Sequence, residues 1–165
     1  MMKLCRKSNS HIRTIMPKLT ITKESFDLII NTTKDSPYVE TGGILLGKDH
    51  DPKTVEIMYA TLPGPKAYHS PTKFIRDTEY CKKVLNEYYE KKGLDYIGEW
   101  HSHIIPLRGA SGGDFATLCS IMNDPDYNFK AFSCIIALLN NDSVELIGYV
   151  LSNKYIYKAK IQILD

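Results

Sequence analysis

The sequence lacks any long apolar run, and no segment approaches the roughly 20 apolar residues that a membrane-spanning helix needs. Cysteine is sparse, and the four cysteines, Cys5, Cys81, Cys119 and Cys134, form no CxxC pair. Cysteines spaced in this way are typical of small buried side chains or free thiols in a reducing cytosol, so we expect a cytoplasmic protein. A charge excess is also missing. The formal net charge of +2 gives no reason to expect a membrane or nucleic acid as the main partner.

What is present is the composition of a globular protein, with 43% hydrophobic and 24% charged residues in a chain of 165. No internal repeat, low-complexity run or interdomain linker divides it, so we predict a single domain over residues 18–165. Residues 1–17 carry four basic side chains and no acidic one. We predict a flexible basic tail there. The alternative is an arm that contacts an acidic partner or nucleic acid.

The spacing of apolar residues predicts strands that alternate with helices. Helical spacing follows Thr22 as a plausible N-cap, and predicts two further helices at 77–92 and 111–122. Strand patterns lie at 18–21, 42–47, 54–62, 95–103, 129–139, 144–151 and 155–164. The last of these is expected at the edge of the sheet. Helices interleaved with strands predict an α/β (α+β) domain with a mixed β-sheet flanked by helices.

The most informative segment is His101-Ser-His103-Ile-Ile-Pro-Leu-Arg-Gly-Ala-Ser111-Gly-Gly-Asp114. On a strand, His101 and His103 point to the same face, about 7 Å apart along the chain. The ten residues that follow let the chain turn back, so that Asp114 approaches from the first turn of a helix. Two imidazole nitrogens and one carboxylate oxygen, with a fourth position open, are typical of a catalytic zinc site.

Simpler explanations exist for each half of this segment. A His-x-His pair on a strand is often incidental, and Ser111-x-x-Asp114 is also the signature of a capping box. A zinc hydrolase needs a base as well, to take a proton from the attacking water. Glu99 and Glu40 are both candidates, and the chemistry of the residues does not choose between them.

The whole pattern resembles the motif of the JAMM (JAB/MPN) zinc metalloproteases, of the stand-alone bacterial type. That motif is a distant Glu, then His-x-His, seven residues, Ser, two residues and Asp. Here residues 104–110 give the seven-residue spacing, and Glu40 precedes the glycine-flanked run Gly42-Gly-Ile-Leu-Leu-Gly47. The resemblance covers roughly residues 18–150. One departure is Pro106, because members commonly have proline directly after the second histidine.

The resemblance implies an MPN/JAB domain with a cytidine-deaminase-like fold. It implies that His101, His103 and Asp114 ligate Zn²⁺, that Glu40 is the general acid/base, and that Ser111 stabilises the tetrahedral intermediate. Glu99 would then have a structural or supporting role.

The activity implied by the resemblance is that of a zinc metallopeptidase, a deubiquitinase-like isopeptidase. It would cleave after the C-terminal glycine of a ubiquitin-like modifier or sulfur-carrier protein. An activating or conjugating enzyme from the same operon would be a further partner. Tyr68, Phe74 and Trp100 are candidates for walls of a substrate cleft, although ordinary packing is the simpler explanation. His69, like His50 and His11, lies outside the motif and receives no role.

Three other functions compete with this one. A nucleobase deaminase needs His-x-Glu and Pro-Cys-x-x-Cys, and the sequence contains neither. A non-catalytic MPN scaffold, or a DNA-associated relative of the same family, stays open. The identity of the modifier, and whether the bond is a linear peptide or an isopeptide, also stay open.

Overall fold

The computed structural model describes residues 6–7, 16–104, 109–126, 129–153 and 155–165. Within these ranges the helices are α1 (Lys23–Lys34), α2 (Thr78–Lys92) and α3 (Gly112–Asn123). The strands are β1 (Arg6–Lys7), β2 (Lys18–Thr22), β3 (Gly42–Asp51), β4 (Thr54–Ala60), β5 (Tyr68–His69), β6 (Phe74–Ile75), β7 (Asp95–His103), β8 (Phe132–Asn140), β9 (Ser143–Ser152) and β10 (Tyr155–Leu164). The predicted helices and strands are therefore confirmed, with bounds that move by a few residues. None of the described helices is long and apolar enough to cross a membrane.

The helices begin where short polar side chains can satisfy their first N–H groups. Thr22 caps α1 by accepting a hydrogen bond from the Ser25 N–H, and Asp77 caps α2 by accepting one from the Tyr80 N–H at 3.1 Å. Gly93 ends α2 in the left-handed conformation, with φ of 64°, which glycine adopts without a steric penalty. These local signals explain why the predicted helix bounds are close to the observed ones.

The large sheet closes on itself, a feature that the sequence pattern does not predict. Its strand order is β1-β10-β2-β4-β3-β7-β8-β9, and β9 also pairs with β10, so seven strands form a ring. Residues 155–159 of β10 pair antiparallel with β9, whereas residues 160–164 pair parallel with β2. The prediction of β10 as an edge strand is therefore wrong. A strand whose two halves pair with different neighbours has the same alternating pattern as one with a single neighbour.

Helices cover both faces of the curved sheet, as predicted. Helix α1 packs its Phe26 and Ile29 into a core formed with inward residues of the strands, among them Leu45 and Ile135. Helices α2 and α3 pack on the opposite face, against Ile44 and Leu46 of β3 and against Cys134 and Ile136 of β8. Neighbouring residues of β3 and β8 thus face opposite cores, as strand geometry requires.

The cysteines only partly match the prediction of free thiols. Cys81 and Cys134 are free and buried. Cys119 is disulfide-bonded, so the prediction is wrong for that residue.

The topology brings the first residues of β3 next to the last residues of β7. The two strands are antiparallel, and Gly42 is paired with His101. On its other side β7 runs parallel to β8, with His103 opposite Leu138. The segment that precedes β3 and the last residues of β7 therefore lie at the same end of the sheet.

Truncation of a core residue on β8 should reveal how strongly the closed sheet depends on its centre. Ile135 is fully buried, so Ile135→Ala is expected to lower the free energy of unfolding by about 2–5 kcal/mol, from lost burial and the cavity left behind. Ile163 on β10 is 41% exposed, so Ile163→Ala should cost clearly less, about 1 kcal/mol. Urea denaturation of both variants would measure the difference. Equal losses would contradict the burial assigned to these two positions.

Candidate metal centre

Three side chains from the predicted motif converge on one point. Nε2 of His101 lies 3.1 Å from Oδ1 of Asp114, and Nε2 of His103 lies 3.3 Å from Oδ2. The two Nε2 atoms are 3.1 Å apart. One ligand atom of each residue thus lies within 4.8 Å of the others. The geometry brings together the histidines of β7 and the aspartate of α3, as the sequence spacing predicted.

Local structure explains how Asp114 reaches the histidines. Ser111 is the N-cap of α3, and its Oγ accepts a hydrogen bond from the Asp114 N–H at 3.1 Å. In return, Oδ2 of Asp114 accepts the Ser111 N–H at 2.7 Å. The capping box is therefore present, and it does not compete with a metal site. It holds the carboxylate at the helix start, with both oxygens directed towards the two imidazoles.

The three side chains perturb one another electrostatically. Burial acts to raise the pKa of Asp114, but hydrogen bonds from His101 and His103 outweigh it and hold that pKa well below its usual range. Burial would lower the pKa of His103, yet the hydrogen bond and charge of Asp114, helped by Glu40, raise it. The aspartate is thus an anion over the whole physiological pH range. The imidazole of His103 holds a proton more tightly than a free imidazole does.

Glu40 faces the same cavity as this cluster. The cavity has a volume of about 420 Å³, and its lining includes Glu40, His101 and Asp114. Glu40 is only 7% exposed, and burial raises the pKa of its carboxyl group. The charges of His103 and His101 act in the opposite direction and only partly offset the effect of burial. A carboxyl group with a raised pKa, beside a cluster of metal-ligand type, is suited to accept and return a proton.

The carboxylate of Glu99 interacts with residues outside the metal-ligand cluster, and this distinguishes it from that of Glu40. Its carboxylate forms an ion pair with Arg76 and accepts a hydrogen bond from the Tyr96 hydroxyl at 2.5 Å. The Glu99 side chain is 14% exposed and that of Arg76 is 31% exposed, so solvent screens this pair only in part. A carboxylate held by a guanidinium and a phenol hydroxyl is already engaged and is less free to turn towards the candidate metal centre. The geometry therefore favours Glu40 over Glu99 as a base.

Two residues without a predicted role hold the backbone beside Glu40. The Thr41 N–H donates to Oγ of Ser102 at 2.9 Å, and the Ser102 N–H donates to the Thr41 carbonyl at 2.8 Å. Ser102 lies between the two histidines, so it ties the Glu40 segment directly to the histidine strand. His69 donates from Nδ1 to the Glu40 carbonyl at 2.9 Å. The sequence signal for Ser102 was its place inside His-x-His, whereas His69 had none.

The three aromatic residues proposed as cleft walls differ in their environment. Phe74 lines the cavity. Trp100 also borders it, but its side chain is 1% exposed, packs in the core and donates from Nε1 to the Thr61 carbonyl at 3.0 Å. Tyr68 is 54% exposed on β5. Pro106, the departure from the family motif, lies outside the described residues.

The donor set fits a divalent metal ion. Imidazole nitrogen and carboxylate oxygen are ligands that Zn²⁺ accepts in four-coordinate sites, and three protein ligands leave one position for water or substrate. The aspartate is ionised, as a ligand must be, and both histidines present Nε2 to the same point. His101, His103 and Asp114 can therefore hold a metal ion together.

Comparison with known proteins identifies a curated relative and a solved structure of similar fold. No protein-family model matches the sequence. A protein from Enterobacter hormaechei, named CD-NTase/cGAS isopeptidase, is 30% identical over 150 residues, which cover 86% of this chain and 82% of the relative. The chain belongs to the family of that isopeptidase. Because the identity extends along most of both chains, we infer that this protein and the Enterobacter relative share a fold and a common origin.

A solved structure supports the fold of this family member independently. The solution structure of a protein from Desulfitobacterium hafniense superposes with a TM-score of 0.66 at 18% sequence identity. The match covers 89% of this chain and 93% of that protein. At this identity the similarity establishes a common fold and carries no statement about activity.

Metal binding should depend on pH because His103 must lose its proton to become a ligand. Only neutral imidazole binds a metal, so the ion displaces the proton that the raised pKa retains. The apparent affinity for Zn²⁺ is expected to be greatest above that pKa and to fall as the pH decreases through it. Asp114 stays ionised in this range and should not contribute to the fall.

Competition with a chromophoric chelator between about pH 5 and 8 would measure this dependence on the metal-free protein. Calorimetry in two buffers of different ionisation enthalpy would count the protons released. Asp114→Ala, which removes a ligand, should abolish the tight site at every pH. An affinity that does not change with pH would contradict the assignment of His103 as a ligand.

Proposed function

We propose that the protein is a zinc-dependent isopeptidase of the JAMM type, built on an MPN/JAB domain. The observation that carries this proposal is the convergence of His101, His103 and Asp114 beside a cavity that the buried Glu40 also lines. Membership of the isopeptidase family supports the same chemistry. A scaffold that only binds partners would have no need for a proton acceptor with a raised pKa beside three metal ligands.

Zinc held by His101, His103 and Asp114 would polarise the scissile carbonyl group and lower the pKa of a water molecule to about 7. Glu40 would take the proton from the attacking water and pass it to the leaving amine. Its raised pKa suits both steps, because proton transfer is most efficient when the pKa of the catalyst lies near the working pH. Water would attack directly, without a covalent intermediate on the protein.

Ser111 would stabilise the negative charge that develops on the carbonyl oxygen. Its Oγ accepts the Asp114 N–H in the capping box, and this bond does not use the hydrogen of the hydroxyl group. That hydrogen can be donated to an oxyanion beside the metal centre. One side chain would thus both place a metal ligand and contact the transition state.

The substrate we propose is a glycine-ending tail of a ubiquitin-like modifier or sulfur-carrier protein. The name of the Enterobacter relative, CD-NTase/cGAS isopeptidase, favours an isopeptide bond over a linear peptide bond. By analogy, we propose that the modifier is joined to a CD-NTase-like protein through a lysine side chain. Glycine has no side chain, so a tail of this kind can approach a metal centre in a confined cavity closely.

Replacement of the proposed base should stop turnover without removing the metal. Glu40→Gln is expected to lower kcat by about 10²–10⁴-fold, because a neutral amide cannot accept the proton. Zinc content should be unchanged, since Glu40 is not among the three ligands. The matched control is Glu99→Gln, which removes a carboxylate from the same cavity and should keep most of the activity.

Two forms of one substrate would test the reaction and the bond. A β-grasp protein with a Gly-Gly tail would be joined to a partner lysine by an isopeptide bond, or fused to the partner as a linear chain. Cleavage after the terminal glycine, followed by mass spectrometry, supports the proposal, and a preference for the first form supports isopeptidase activity. Zinc-loaded protein that cleaves neither form would favour a binding scaffold. Full activity of Glu40→Gln with loss in Glu99→Gln would move the base to Glu99.

Ser111 offers a test in which stability and rate can be separated. Ser111→Ala removes the N-cap and the hydroxyl, and should cost about 1 kcal/mol in stability and about 10²–10³-fold in kcat. Ser111→Gly restores much of the capping ability without a hydroxyl, so it should be nearly as slow but more stable than alanine. Thermal unfolding and steady-state rates would be measured for both variants. A wild-type kcat in Ser111→Gly would show that Ser111 only caps helix α3 and does not stabilise the oxyanion.

A further inference from the structure

The β5–β6 hairpin holds both polar backbone groups of Glu40. The Glu40 N–H donates to the Ser70 carbonyl at 2.8 Å, and the Glu40 carbonyl accepts the bond from Nδ1 of His69 at 2.9 Å. Two neighbouring residues of the hairpin, one through its backbone and one through its side chain, therefore grip the same residue.

These two hydrogen bonds matter because Glu40 lies outside the hydrogen-bond ladder of the sheet. Strand β3 begins at Gly42, so no neighbouring strand supplies regular partners to the backbone of residue 40. Glu40 is nearly buried, and buried backbone groups need partners. The hairpin supplies them on one side, and Ser102 binds the next residue, Thr41, on the other.

The hairpin itself is fixed against the body of the domain. The Ser70 N–H donates to the Lys73 carbonyl at 2.8 Å, which closes its turn. The Phe74 ring lies 5.5 Å from the imidazole of His69, between centroids. Phe74 also packs on Gly42 so closely that a Cβ there would lie 2.7 Å from Cε1 of the ring. The β5–β6 hairpin that carries His69 is therefore packed against the sheet beside Glu40.

We infer that His69 is a positioning residue for Glu40, and this inference rests on the proposed function. Its Nδ1–H fixes the carbonyl of Glu40 and thereby the direction in which the Glu40 side chain leaves the backbone. His69 acts through the main chain of another residue, so it is not itself a catalytic residue. Displacement of a catalytic group by about 1 Å can cost about 10²-fold in rate, which sets the scale of the effect.

Two substitutions at one position separate the hydrogen bond from the ring. His69→Asn places an amide N–H near the position of Nδ1 but has no ring to pack on Phe74. His69→Phe keeps the ring and has no donor. We expect His69→Asn to stay within about threefold of the wild-type kcat and His69→Phe to lose about 10–100-fold, with KM and zinc content unchanged in both.

Amide hydrogen exchange provides a readout that does not depend on activity. The Glu40 N–H is protected by its bond to the Ser70 carbonyl, and loss of the neighbouring His69 bond should expose it. His69→Phe should therefore exchange this amide at least tenfold faster than the wild type, and His69→Asn should resemble the wild type. His69→Leu replaces His69→Phe if the larger ring prevents folding.

The two readouts together decide the inference. The inference is supported if His69→Phe has a lowered kcat and fast exchange of the Glu40 amide, while both values stay near those of the wild type in His69→Asn. Wild-type protection of the Glu40 amide in His69→Phe overturns the inference, because His69 would then not hold Glu40. An equal loss of protection and kcat in both variants also overturns it, because ring packing and not the hydrogen bond would then be the function of His69. If the zinc-loaded wild type cleaves no substrate, the proposed function fails. The exchange data still show whether His69 holds Glu40.

Discussion

The carboxylate of Asp114, placed between two imidazoles, is the interaction on which the candidate centre depends. Its oxygens lie 3.1 Å and 3.3 Å from the Nε2 atoms of His101 and His103. This contact joins the end of β7 to the start of α3, and it keeps the carboxylate ionised in spite of burial. The capping box with Ser111 fixes the carboxylate from the helix side. The hydrogen bonds that begin helix α3 thus also hold the candidate ligand Asp114 in place.

The proposed base is positioned by a different means, through its backbone. Glu40 precedes β3, where the sheet ladder has not yet begun, and its immediate neighbours in space come from β5 and β7. Because Ser102 lies between the two histidines and binds Thr41, the Glu40 segment is tied directly to the histidine strand. The candidate ligands and the proposed proton acceptor are therefore linked through hydrogen bonds to the backbone of residues 40 and 41, which involve the side chains of His69 and Ser102.

Much of the fold and of the centre could be predicted because the relevant signals are local. Thr22, Asp77 and Ser111 act within one helical turn, so the helix starts were accessible from sequence. Two features were not. Closure of the sheet depends on which strands β10 meets in its two halves, and its alternating pattern carries no information about that. The sequence also does not distinguish Glu40 from Glu99 as a candidate base, because the ion pair of Glu99 with Arg76 joins residues from different parts of the chain.

The sequence by itself determined the residue types of the candidate ligands, their order and the alternation that puts His101 and His103 on one face, because these follow from covalent spacing and strand geometry. Only the tertiary structure decided which carboxyl group is buried beside the ligands and which is neutralised by a guanidinium. It also decided that His69, remote from the motif, contacts Glu40. Such contacts depend on elements far apart in the chain meeting in space, and on the desolvation that follows when they do.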